Sequence, residues 1–157
     1  MMNFSLRPFQ FQGKYIYFTD TKQNTVIPNS TFTRIMYSTP IMTMTGIYLN
    51  IQLCIKSVEK HFNNYYFMFD PLQEHNKQII DRVRLIETDI LSKWSTNNSN
   101  NKKQALNLSN QLETGNVSIW LSSDSVDKKQ YHEFILKISG IWENEDQQEY
   151  GITYKFI

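Results

Sequence analysis

The chain of 157 residues holds 16 Lys and Arg against 15 Asp and Glu, 40% hydrophobic residues and a single cysteine, Cys54. That length suits one domain with one core, the apolar content is too high for a disordered tail, and no apolar run approaches the ~18 residues that span a bilayer. One cysteine excludes an internal disulfide, and residues 1–8 lack the basic-then-apolar order of a signal peptide, so a soluble, intracellular protein without membrane contact is expected.

Residues 1–13 read as a flexible aromatic-basic arm that docks on a neighbouring subunit or on nucleic acid, or equally as a plain edge strand, with Phe9 and Phe11 ahead of Lys14 and Tyr15. A short strand is predicted over 14–18 and another over 34–37, the latter broken by Ser38, Thr39 and Pro40. From 41 to 55 a strand is expected, because Ile47, Leu49, Ile51, Leu53 and Ile55 alternate with Tyr48, Asn50, Gln52 and Cys54. Another is predicted over 65–69. The period then changes: Ile79, Val83, Ile86, Ile90 and Trp94 recur at helical spacing. Asp70, Pro71 and Gln73 offer a cap, a first-turn proline and a box partner, although a later start near His75 fits equally well. Arg82, Arg84, Asp81, Glu87 and Asp89 are placed on or beside the wet face.

The Asn-rich stretch 95–110 reads as a mobile loop. Strands follow over 117–121, 134–138 and 150–157. Gly140 is expected to bend or bulge its strand, and a polar turn over 143–148 joins the last two strands as a hairpin. The order is strands, one central helix, then strands, within a single domain spanning 1–157.

The catalytic inventory is thin. The five glycines never cluster into a phosphate loop, and His61, His75 and His132 share no ligand spacing with Cys54. A non-enzymatic protein without metal or cofactor is therefore expected.

Binding features are richer. Aromatics reach 14%, and residues 1–60 carry six cations against two anions, so a positive face is one outcome of folding. Aromatic faces stack on unpaired bases while lysines meet phosphates. On that pairing of chemistries, Lys137, Trp142 and Lys155 in the final hairpin are candidate contacts, with Arg34, Tyr37 and Lys56 as further ones. Tyr154 shares a face with Ile152 and Phe156 and reads mainly as core.

Strands, one helix and more strands in this order look like the oligonucleotide-binding (OB) barrel, in which a helix lies between the third and fourth strands. The runs 134–142 and 150–156 resemble the ending of small single-stranded-DNA-binding proteins encoded by large DNA viruses and related mobile elements. The resemblance covers about 25 residues. It implies a mainly β, antiparallel OB-like barrel, with a β-sandwich as the alternative. It also implies stoichiometric coating of single-stranded DNA, or of RNA, during replication or recombination, without a cofactor, by a homo-oligomer. The competing expectation is a viral structural or protein-interaction β-domain.

Overall fold

The computed structural model describes residues 4–98, 101–120 and 131–157. Two short 3-10 turns, Pro8–Gln10 and Gly13–Tyr15, lead into β1 (Ile16–Gln23), β2 (Ser30–Thr39), β3 (Met42–Thr45), β4 (Ile47–Cys54), β5 (Ser57–His61) and β6 (Asn64–Met68). The helix α1 (Glu74–Asn98) follows, then β7 (Lys103–Ala105), α2 (Asn107–Glu113), β8 (Asn116–Trp120), β9 (Tyr131–Asn144) and β10 (Glu149–Phe156).

The protein is mainly β with two helices rather than one. The larger sheet runs β1-β2-β9-β10-β7, with β3 added to β2 and β4 added to β9; the smaller runs β5-β6-β8. No pairing joins β1 to β7 among the described residues, so the expected barrel does not close. Among the described residues these strands pair antiparallel except β7 on β10, and an isolated parallel bridge joins Leu6 to Leu49 of β4. The long β9 organises the sheet: β4 pairs with its first half and β2 with residues 140–144, while β10 follows it from Leu136 to Asn144.

The alternation expected over 41–55 is present but belongs to two strands. Gly46 adopts φ 88°, a left-handed conformation costly for side-chain-bearing residues, and turns the chain from β2's edge onto β9. Ile47, Leu49, Ile51 and Leu53 of β4 are then fully buried. α1 covers this inner face with Ile80, Val83, Ile86, Ile90, Leu91 and Trp94. Phe67 of the smaller sheet meets Phe134 edge to face at 5.0 Å, so one core runs through both sheets.

α1 starts at Glu74, the later of the two predicted starts. Its first turn carries Asn76, which is wholly buried and extends the ladder of β4. The Cys54 N–H donates to Asn76 Oδ1 at 2.7 Å, and Asn76 Nδ2 donates to the carbonyls of Cys54 and Asp70, each at 3.0 Å. An amide side chain thereby stands in for a neighbouring strand at the point where β4 ends.

Three expectations are corrected here. Glu87 is not on the wet face but fully buried. Its carboxylate accepts the N–H groups of Leu108 and Ser109 and the Ser109 hydroxyl, and so caps α2 from another helix. The stretch 95–110 is not one loop: residues 95–98 complete α1, β7 pairs with β10, and α2 buries Leu108 and Leu112. Two leucines four apart, with their helix start satisfied by Glu87, supply the packing that the Asn-rich composition hides. The described part of the 1–13 arm is docked on its own domain. Leu6 exchanges backbone hydrogen bonds with Tyr48 and Asn50, Phe11 stacks on Tyr37, and Arg82 Nε donates to the Pro8 carbonyl.

Candidate nucleic-acid interface

The face of the large sheet turned away from α1 brings together most of the sequence-predicted contacts. In β2, Thr33 and Ile35 point into the core, which sends Phe32 and Arg34 outward. In β9, Leu136, Ile138 and Ile141 are buried, and Lys137 and Trp142 project outward. Lys155 of β10 is exposed and sits directly opposite Lys137.

Two bulges make this possible. Between β9 and β10 the register passes from Gly140↔Thr153 to Ile138↔Tyr154, so Ser139 is an extra residue in β9. Between β1 and β2 it passes from Phe18↔Ile35 to Thr21↔Thr33, which inserts one residue at Thr19–Asp20. Arg34 lies between the two irregularities, paired with Gly140 on one side and facing the β1 bulge on the other.

Next to Arg34 stand two aromatic groups in direct cross-strand register, Phe32 and Trp142. Each occupies space that a glycine leaves free. A Cβ on Gly140 would fall 2.7 Å from Phe32 Cε2 and Cζ, and a Cβ on Gly151 would fall 2.8 Å from Trp142 Cζ2. Both rings therefore lie along the sheet surface. Trp142 is fixed there further, because Nε1 donates to the Ile152 carbonyl at 3.2 Å. Lys22, exposed, pairs with Phe32 on its other flank.

Further along the same face, Tyr48, Lys137 and Lys155 form a row across β4, β9 and β10. The Lys137 ammonium stands 5.6 Å from the centre of the Tyr48 ring, a cation–π contact. Gly151 and Lys155 are four residues apart on β10, so roughly 13 Å separates the aromatic pair from the lysine row. Among the described residues, Lys22, Arg34 and Lys155 take part in no ion pair, and their charge is available to a ligand.

Two predicted residues are not part of this face. Tyr37 is 1% exposed; it points inward between Phe11 and Tyr15, and its hydroxyl accepts the Gln12 N–H at 3.0 Å. Lys56 is exposed but lies past the end of β4, where its N–H donates to Met68 of the smaller sheet. In return the fold adds Phe32, Lys22 and Tyr48. The sequence signal for Phe32 is its place two residues before Arg34, which puts both on one face of a strand that begins at Ser30.

Two clefts flank β1. One of about 390 Å3 opens on the basic face and is lined by Thr19, Asp20, Lys22, Phe32, Arg34, Met36 and Thr45. The larger, about 820 Å3, separates β1 from the end of α1. Two of its aromatic groups are already committed: Trp94 packs edge to face with Phe18 at 5.2 Å, and the Trp94 N–H donates to Glu143 at 2.6 Å, while Tyr17 on the same wall is exposed. Glu143 and Glu145 in turn hold Lys102, whose side chain is only 8% exposed. Burial acts to lower the Lys102 pKa, but the hydrogen bonds that its ammonium donates to Glu145 and Glu143, with the charges of those carboxylates, outweigh it and leave the group above its ordinary 10.5. The same contact holds the Glu145 carboxyl below its ordinary 4.5. Opposite, burial and then the charge of Glu87 push the Tyr154 phenol up, with its hydroxyl donating to Gln111 at 2.6 Å.

Among the described residues no three His, Cys, Asp or Glu side chains converge as a metal site, and no helix is long and apolar enough to cross a membrane. No family model, no curated protein and no solved structure matches this chain.

Proposed function

We propose that the protein binds single-stranded nucleic acid, DNA in the first instance, along the outer face of its large sheet. The observation that carries this reading is the pair Phe32 and Trp142, laid side by side over Gly140 and Gly151 and bordered by Lys22 and Arg34, with Lys137 and Lys155 further along the same face. Flat aromatic faces offer stacking to any base, and the surrounding cations follow phosphates. Partly exposed rings already held in place beside glycines lose little freedom on binding, which favours affinity.

In this reading the domain is an open relative of the OB barrel, with the central helix on the opposite side from the ligand. It coats unpaired strands during replication or recombination, non-enzymatically and without a cofactor. The near-neutral net charge of +1 makes local clustering, rather than overall charge, the source of attraction. Assembly into homo-oligomers multiplies one short groove into a longer track.

The test is a fluorescence titration with oligothymidylate at low salt, in a Trp120→Phe background so that Trp142 dominates the surface signal. Quenching that saturates at micromolar protein or below and weakens as salt rises supports the proposal. No change in emission and no gel shift at that concentration would falsify it.

A second reading, a protein-interaction domain, draws on one observation at the other sheet. Phe62 is 94% exposed and Trp120 65% exposed, near one end of β6 and β8. That reading predicts oligonucleotide-independent association that Trp120→Ser abolishes.

A further inference from the structure

We infer that the cleft at the β1 bulge is a base-selective pocket that takes guanine, an inference resting on the nucleic-acid reading above. Most of the basic face suits any nucleotide, since stacking and phosphate contacts carry little sequence information. The 390 Å3 cleft is different because it sets an acid among the cations. Asp20 shares its walls with Arg34, Lys22 and Phe32.

A carboxylate at the edge of a phosphate track repels the backbone and favours a group that donates hydrogen bonds. Among the described residues Asp20 makes no ion pair or side-chain hydrogen bond, and neither does the Arg34 guanidinium. Both are exposed, so their hydrogen-bonding capacity is met by solvent and open to a ligand. The β1 bulge is what brings them together: the extra residue at Thr19–Asp20 lies opposite Arg34, and Thr19 Oγ1 fixes the bulge by donating to the Arg34 carbonyl at 3.3 Å. Bulges of this kind re-aim side chains at sheet edges.

The pocket thus offers two acceptor oxygens, a forked donor and an aromatic wall. Guanine is the base that answers all three. Its N1–H and N2 amino groups are adjacent donors for a carboxylate, its O6 and N7 are the pair that arginine grips in fork geometry, and its bicyclic face covers a phenyl ring. Thymine has one donor, and cytosine and adenine each present a single amino group.

The experiment compares a twelve-nucleotide oligothymidylate with the same strand carrying one central guanine, and with one carrying inosine, which lacks the N2 amino group. The guanine strand is expected to bind about tenfold tighter than oligothymidylate, with inosine losing most of that gain. Asp20→Asn should erase the guanine preference while holding oligothymidylate affinity level or slightly improved. Asp20 is exposed, and an unchanged thermal melt establishes that the variant folds. Equal affinity for the guanine and thymine strands, with both bound, overturns the pocket and leaves the general interface standing. A guanine preference that survives Asp20→Asn overturns the assignment to Asp20. Failure of every strand to bind overturns both readings.

Discussion

Lys137 and Trp142 are five residues apart on one strand, a spacing that in regular β structure puts them on opposite faces, yet both project from the same face. The extra residue Ser139 shifts the alternation between them. Its partner strand has no insertion, so Lys155 and Gly151, four residues apart, remain opposite Lys137 and Trp142. A one-residue irregularity thereby joins a cationic row to an aromatic pair.

The first prediction follows from the contact between Trp142 and Gly151. Gly151→Ala puts a methyl group 2.8 Å from Cζ2 of the indole and 2.9 Å from the Ala105 carbonyl oxygen, so the ring must lift or rotate away and the β7 edge must also give. Oligothymidylate affinity should fall by about 1–3 kcal/mol, the value of one lost base stack, and Phe32→Ala should cost a similar amount. Trp142 emission in the free protein should shift to the red in Gly151→Ala. Unchanged affinity in both variants would remove stacking from the mechanism.

Charge is tested separately. Lys137→Gln with Lys155→Gln removes two cations from one row and should flatten the slope of log affinity against log salt by roughly 1 to 1.5. Lys56→Gln, away from this face, should leave the slope alone. A double variant with the parent slope would mean that phosphates run elsewhere.

Glu87 gives a stability prediction independent of any ligand. Its carboxylate satisfies two backbone donors and one hydroxyl, all buried. Glu87→Ala strands those donors and should destabilise the fold by about 2–4 kcal/mol, measured by urea unfolding, because each buried unpaired group costs about 1–3 kcal/mol. A loss below about 0.5 kcal/mol would show that water replaces the carboxylate without penalty.

The Lys102 cluster predicts a pH signature. Glu145 has its folded pKa held below 4.5, so its contribution is present above that value and lost as pH falls through the folded pKa. Lys102, raised above 10.5, contributes below that value and loses its contribution as pH climbs through the folded pKa. In Lys102→Met the Glu145 carboxyl, followed by NMR titration, should return towards 4.5. If it stays depressed, another group is responsible.

Much of this architecture is written in local pattern. The alternation in β4, the helical spacing of Val83, Ile86, Ile90 and Trp94, and the hairpin around residues 143–148 each follow from one side of an element facing apolar surroundings. Asn-rich composition gave the wrong answer for 95–110, because composition reports average hydrophobicity. The short run of Leu108 and Leu112 needed the Glu87 carboxylate, 21 residues upstream of Leu108, to complete its helix.

Residue types alone nominated Arg34, Lys137, Trp142 and Lys155, since cations and indoles are suited to phosphates and bases whatever the fold. Their shared surface was settled only by the bulges at Ser139 and Thr19–Asp20 and by glycines placed opposite Trp142 and diagonal to Phe32. The same tertiary packing withdrew Tyr37 into the core. Alternation along a strand is a local property of the backbone, whereas an inserted residue shows itself only against the register of a neighbouring strand, and that register is a long-range fact.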